Sequence, residues 1–252
     1  MTADLVVYCD ADGVTTAYDE GIKALGFNID PSLKHELNRS GSDNPLKRQM
    51  YEAIKGTSFY YDCPILPGAI ELWRRCAKYD PIVLTAAPKF GATEDDYFLN
   101  PYWLGAAYHK RRWFEEVFLP QVFARFVGHD NAGPAYIPPK RYPLKDEHFI
   151  CTTSARKTEF MHRRHGAHQV LIDDRELNCF SWAKAGGFAI FYKNAQNAIL
   201  ALDWYEKCGD ELRDACLPGG GGLVWGFKTP ADAIIPDVTF VLPDAKFERT
   251  IV

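Results

Sequence analysis

The sequence predicts an α/β protein: a doubly wound, mostly parallel sheet with a helical cap inserted after the first strand. Three observations predict it. Short, continuously apolar runs alternate with stretches of helical periodicity, the pattern of strands buried on both faces. Four of those runs end in polar clusters. The first run is followed by far more chain than a single crossover helix needs. A length of 252 residues, 47% hydrophobic and 25% charged, suits one large domain with an insert.

The strands come in order. Leu5–Cys9 leads into Asp10-Ala11-Asp12-Gly13, and Pro81–Leu84 into Thr85-Ala86-Ala87-Pro88. His148–Cys151 leads into Thr152-Thr153-Ser154, and Gln169–Ile172 into Asp173-Asp174-Arg175. Phe188–Phe191 is the fifth strand, and Val238–Leu242 reads as one more in the tail. Helices are expected between them. Gly68–Lys78 places Ala69, Leu72, Trp73 and Cys76 on one stripe. Asn44-Pro45 is a helix start and Gly56 its stop, and Asp30-Pro31 starts another short helix. Further helices are expected over Lys110–Phe118, Ala155–His165, Asn178–Gly186 and Ala195–Cys216. The domain reading is therefore a core at 1–14 and 64–216, a helical cap at 15–63, and an extension at 217–252.

Composition excludes several functions. Lys plus Arg is 29 and Asp plus Glu 33, a net charge of −4, which disfavours long nucleic acid as a partner. No apolar run approaches the ~18 residues of a membrane span. The start of the chain has no basic segment or cleavage site. Seven scattered cysteines with no CxxC pair read as reduced thiols in a cytoplasmic protein. A homo-oligomer is left open.

Right-handed crossovers gather the strand ends on one edge of the sheet, where ligands of open α/β sheets bind. That edge would hold Asp10, Asp12, Thr85, Lys157, Asp173 and Asp174. Carboxylates so close repel one another unless a cation sits among them, and hard oxygen donors without His or Cys suit Mg²⁺. Lys157, with Arg156 as its rival, supplies positive charge for a substrate phosphate. A carboxylate can attack phosphorus to form an aspartyl-phosphate. A second carboxyl two residues on can protonate the leaving oxygen and then deprotonate water. Gly13 lets the loop turn tightly with its N–H groups toward a ligand.

Asp10-Ala11-Asp12-Gly13-Val14, then Thr85, then Lys157, then Asp173-Asp174 stand in the order of the four motifs of the haloacid dehalogenase-like phosphatase superfamily, which the chain resembles over most of Leu5–Tyr192. Within it, the chain resembles the 5′(3′)-deoxyribonucleotidases. The matching pieces are Pro67-Gly68-Ala69 leading a helix into Leu84-Thr85, Lys110 to Trp113, and Leu171–Arg175 with Asn178, Trp182 and Gly186-Gly187. The resemblance implies Asp10 as nucleophile and Asp12 as acid/base. It implies Mg²⁺ held by Asp10, the Asp12 backbone carbonyl and an acid of the last motif, Asp173 in preference, with Asp174 alongside. It implies phosphate contacts from Gly13, Thr85 and Lys157, and a nucleoside monophosphate as substrate. Ala86 stands at the substrate-binding position where these nucleotidases carry a second hydroxyl, and Thr15-Thr16-Ala17 replaces their apolar-acidic run. Another small phosphorylated metabolite, a polynucleotide end, or a non-catalytic phosphate sensor are the alternative readings.

Tyr97, Tyr102, Trp103 and Trp113 offer faces on which a base could stack. His162, His165 and His168 read as a solvated basic face instead of a metal site. Gly221–Gly226 followed by Lys228-Thr229 misses the spacing of a phosphate-binding loop.

Overall fold

The structure, a computed structural model, describes residues 5–28, 44–88, 100–127, 135–137, 140–161, 168–208, 220–227 and 238–247. Its strands are β1 (Leu5–Cys9), β2 (Ile82–Ala86), β3 (Arg125–Val127), β4 (Ala135–Ile137), β5 (Phe149–Thr152), β6 (His168–Asp173), β7 (Phe188–Phe191), β8 (Gly222–Trp225) and β9 (Val238–Val241). Seven form one sheet in the order β5-β2-β1-β6-β7-β8-β9. β2, β1, β6, β7 and β8 pair in parallel, and β9 closes the edge antiparallel to β8. The fold is the doubly wound α/β architecture that the alternation of apolar runs and helices predicts.

By contacts the chain forms two compact units. One comprises Met1–Thr16, Leu66–Ala86 and Ile150–Val252; the other comprises Ala17–Ile65 and Ala87–Phe149.

The first unit carries the large sheet. β1 is buried at all five positions, which is why its sequence lacks alternation. Val6 and Tyr8 share one face with Leu171, Ala189 and Val224, packed with Cys179 and Trp182 of the Glu176–Lys184 helix. On the other face, Phe188 stacks on Tyr205 of the Ala195–Lys207 helix, ring centroids 4.2 Å apart. That helix packs beside the Ala69–Cys76 helix, where Arg75 bridges Asp203 and Glu206. Gly68, at φ +82, permits the contact, since a Cβ there would lie 2.6 Å from the Ala195 Cβ.

Among its described residues, the second unit carries helices and the antiparallel β3–β4 pair. Asn44 caps the Pro45–Ile54 helix by accepting the Lys47 N–H at 3.1 Å, as its sequence signature predicts. The expected Lys110–Phe118 helix is part of a longer run. An α-helix spans Pro101–Trp113, a π turn Phe114–Phe118, and an α turn Leu119–Val122. The π turn carries the buried Glu115 carboxylate, which accepts from Arg111, Arg141 and the Leu144 N–H.

Other expectations change in detail. The segment after β5 is a 3₁₀-helix at Ser154–Phe160 and not an α-helix over Ala155–His165. Three residues per turn aligns Ser154, Lys157 and Phe160 on one side. All three are anchored there: Ser154 Oγ accepts from Arg175, Lys157 Nζ bridges the Asp10 and Asp173 carboxylates, and the Phe160 carbonyl accepts the Tyr8 hydroxyl at 2.8 Å. The final helix ends at Lys207, with 209–219 outside the described residues. The Asp30-Pro31 helix also lies outside them, as do Tyr97, His162 and His165. His168 begins β6, its ring 6.4 Å from that of Tyr205. Gly222–Trp225 is a buried strand and no phosphate loop, so the extension supplies two strands to the sheet. No disulfide occurs among the described cysteines. Among the described residues, no helix is long and apolar enough to cross a membrane.

Candidate active site

β1 lies between β2 and β6: the chain leaves β1 for β2 on one side and returns from β5 to β6 on the other, so the order reverses at β1. The carboxyl end of such a strand opens onto the crevice where α/β sheets bind ligands. Asp10 is the first residue beyond β1. Its N–H continues the ladder to the Ile172 carbonyl at 2.9 Å, which fixes the side chain against the end of β6. Asp10 Oδ1 accepts the Ala11 N–H at 2.7 Å, and Oδ2 lies 2.7 Å from Lys157 Nζ.

The same ammonium donates to Asp173 Oδ2 at 2.7 Å. Lys157 therefore bridges two carboxylates while only 1% exposed. Burial alone would pull its pKa down. The charges of Asp10 and Asp173 outweigh that and hold it above the usual lysine range, so the group stays an ammonium. Arg156 turns elsewhere, pairing with Glu159 at 2.8 Å.

Asp173 is fully buried and its acceptor sites are taken. Oδ1 accepts the Arg175 N–H at 2.9 Å, and Asn178 Nδ2 lies 3.0 Å from both oxygens. Asp174, half-buried, projects over the first loop. One oxygen each of Asp10, Asp173 and Asp174 lie within 4.8 Å of one another. Three carboxylates against one ammonium leave an excess charge of about −2, which a divalent cation balances; all-oxygen donors suit a hard ion such as Mg²⁺.

The first loop is tighter than its sequence suggests. The Ala11 carbonyl accepts the N–H groups of Thr15 and Thr16, both at 2.9 Å, and their hydroxyls at 3.1 and 3.2 Å. The Thr16 hydroxyl also lies 3.3 Å from Asp12 Oδ1. Gly13 sits at φ +77, and a Cβ there would come within 2.2 Å of Asp174 Oδ2. Glycine is thus required twice, by the backbone conformation and by the carboxylate over it. Thr85, the last but one residue of β2, is fully buried, and Ala86, which ends the strand, is half-buried.

Asp10, Lys157, Asp173 and Asp174 are thus brought together, with Asp12 and Gly13 on the adjoining loop. Trp113 is not available as a stacking face. It is fully buried, its Nε1 donates to the Cys63 carbonyl at 2.7 Å, and its ring stacks on Phe118. Sequence reasoning missed the holding role of Asn178 and the twin hydroxyls of Thr15 and Thr16. A threonine pair two residues past a turn glycine, able to bond back to the turn, was the available signal.

The fold and site together define a doubly wound α/β protein with a lysine-bridged carboxylate cluster at its strand ends. No family model and no curated protein sequence matches the chain. Among solved structures, one similar chain is a protein from Burkholderia xenovorans LB400 described provisionally as a haloacid dehalogenase-like hydrolase. The likeness is at 16% identity and a TM-score of 0.39, over 75% of this chain and 84% of that one.

Proposed function

We propose that the protein is a divalent-cation-dependent phosphate monoester hydrolase of the haloacid dehalogenase-like type, acting through an aspartyl-phosphate on Asp10, with nucleoside monophosphates as substrates. The observation that carries the reading is the Asp10–Lys157–Asp173 bridge with Asp174 beside it. It holds one carboxylate rigidly at a strand end, amid positive charge and a second acid.

In the proposed reaction an Asp10 carboxylate oxygen attacks phosphorus and the ester P–O bond breaks. Asp12 gives its proton to the departing alkoxide. Asp12 then takes a proton from water, whose oxygen attacks the same phosphorus. The acyl P–O bond breaks, releasing inorganic phosphate and restoring the Asp10 carboxylate. Lys157 keeps Asp10 oriented and offsets the negative charge that gathers. Thr85, Ala86 and the Gly13 turn are the proposed phosphate-side contacts.

Mg²⁺ fits the donor set, and Asp10, the Asp12 backbone carbonyl and Asp174 would hold it. It would supply positive charge opposite the phosphoryl oxygens. Asp173 belongs to the same cluster, but its oxygens already serve Lys157, Asn178 and the Arg175 N–H, so its part in the proposal is to fix the lysine.

A panel of phosphate esters assayed for phosphate release tests this reading. Activity is expected to vanish in EDTA, return with Mg²⁺ and fall with Ca²⁺, whose looser coordination admits extra ligands. At least one deoxynucleoside monophosphate is expected to exceed ribose 5-phosphate and p-nitrophenyl phosphate in kcat/KM. Equal efficiency on the sugar phosphate would remove the nucleotide and leave a general phosphatase. Full activity in chelator would remove the cation.

A further inference from the structure

One buried polar group at this end of the sheet has no role in the reaction just described. Tyr192 follows β7 directly and is 6% exposed. Its N–H donates to the Asp173 carbonyl at 2.9 Å, which ties its backbone to the end of β6. Its hydroxyl is buried with no hydrogen-bond partner among the described residues. Buried hydroxyls are rarely left so, and each exception calls for a reason.

The register supplies one. The ladder ends at Asp173 paired with Phe191, so Asp174 and Tyr192 are the first residues beyond the adjacent strands β6 and β7. Tyr192 is within electrostatic reach of Asp174 and of Cys9, the residue before Asp10. A phenol carries its proton at neutral pH and can donate.

Resting on the phosphatase reading, we propose that Tyr192 is a positioning residue of the cation site: its hydroxyl, unpartnered without the ion, takes up one Asp174 carboxylate oxygen when the divalent ion engages the other. Partners of metal ligands commonly change metal affinity ~10–100-fold when lost.

Mg²⁺ binding by calorimetry, on the full-length wild type and Tyr192→Phe without substrate, tests the proposal. The variant keeps the ring and loses the hydroxyl. Its Mg²⁺ dissociation constant is expected to rise about tenfold or more. Its urea midpoint in EDTA is expected to match or exceed that of the wild type, because an unsatisfied hydroxyl leaves the interior. Unchanged Mg²⁺ affinity beside a wild type that binds the ion would overturn the role of Tyr192 alone, as would a lowered midpoint in EDTA with affinity intact. A wild type that binds no Mg²⁺ would overturn the phosphatase reading, and this inference with it.

Discussion

Asp10→Asn is expected to abolish phosphate release while the protein stays folded. An amide cannot form the acyl phosphate, and loss of a covalent nucleophile costs on the order of 10⁶ in kcat. The fold should not suffer. Asp10 is one of three carboxylates clustered within 4.8 Å, and removing its charge relieves repulsion that the single Lys157 ammonium only partly offsets. In EDTA the urea midpoint of the variant should therefore equal or exceed that of the wild type. Asp10→Asn also leaves Lys157 its contact with Asp173, so the lysine is not stranded. Turnover above about one-hundredth of wild type in a clean preparation would remove Asp10 from the nucleophile's role, since amide variants of an essential nucleophile retain far less.

Lys157→Met is expected to be the most damaging substitution to stability at this site. The side chain is 1% exposed and bonds both Asp10 and Asp173 at 2.7 Å. Breaking a buried charge cluster by removing one partner typically costs about 3–5 kcal/mol, because the remaining charges stay buried without compensation. The pH dependence reports the cause. In the wild type the folded lysine pKa is raised, so its contribution is complete below the unfolded lysine value and is lost only as pH rises through the folded value. In the variant, buried carboxyls without their cation titrate higher than in the unfolded chain. The variant should then lose stability as pH rises from the acid side, and be more stable at pH 5 than at pH 7.5 relative to wild type. Urea midpoints across that range measure it. A deficit independent of pH would mean that packing and not charge is what Lys157 contributes. Mg²⁺ should recover part of the loss, since it replaces positive charge in the same cluster.

The parts of this site that the sequence made legible are those fixed by strand ends. An apolar run buried on both faces announces itself, and the polar residue that follows must stand at the sheet edge. Asp10, Thr85 and Asp173 are found that way, and the parallel order brings the ends of β1, β2 and β6 together. Less legible was whatever depended on loop geometry. Ser154–Phe160 carries helix formers, yet its contacts to Arg175, to the two carboxylates and to Tyr8 select the tighter 3₁₀ winding, which no local preference reveals. Thr15 and Thr16 gave little sign of their part in the loop, where their hydroxyls lock the turn onto the Ala11 carbonyl. The tail showed its strand, found at Val238–Val241, but the glycine run gave no hint of β8, which is specified by the groove it fills: a Cβ at Gly222 would meet the Gly187 carbonyl at 2.1 Å. Trp113 shows the opposite failure. An aromatic in a suggestive place was a core residue, held by its indole N–H to Cys63 and by stacking on Phe118.

The central claim is that phosphorus passes through a covalent bond to Asp10, and it can be tested by trapping that bond. Asp12→Asn should slow hydrolysis of the acyl phosphate, because the amide cannot take a proton from water, a loss of about 10²–10⁴. With p-nitrophenyl phosphate the leaving group needs little protonation, so the intermediate should form readily and persist. Acid quench after mixing excess Asp12→Asn protein with this ester and Mg²⁺, followed by borohydride reduction and tandem mass spectrometry, locates the acyl phosphate. The account predicts homoserine at position 10 and unmodified aspartate at 173 and 174. Reduction at another carboxylate, or none despite release of nitrophenol, would contradict it.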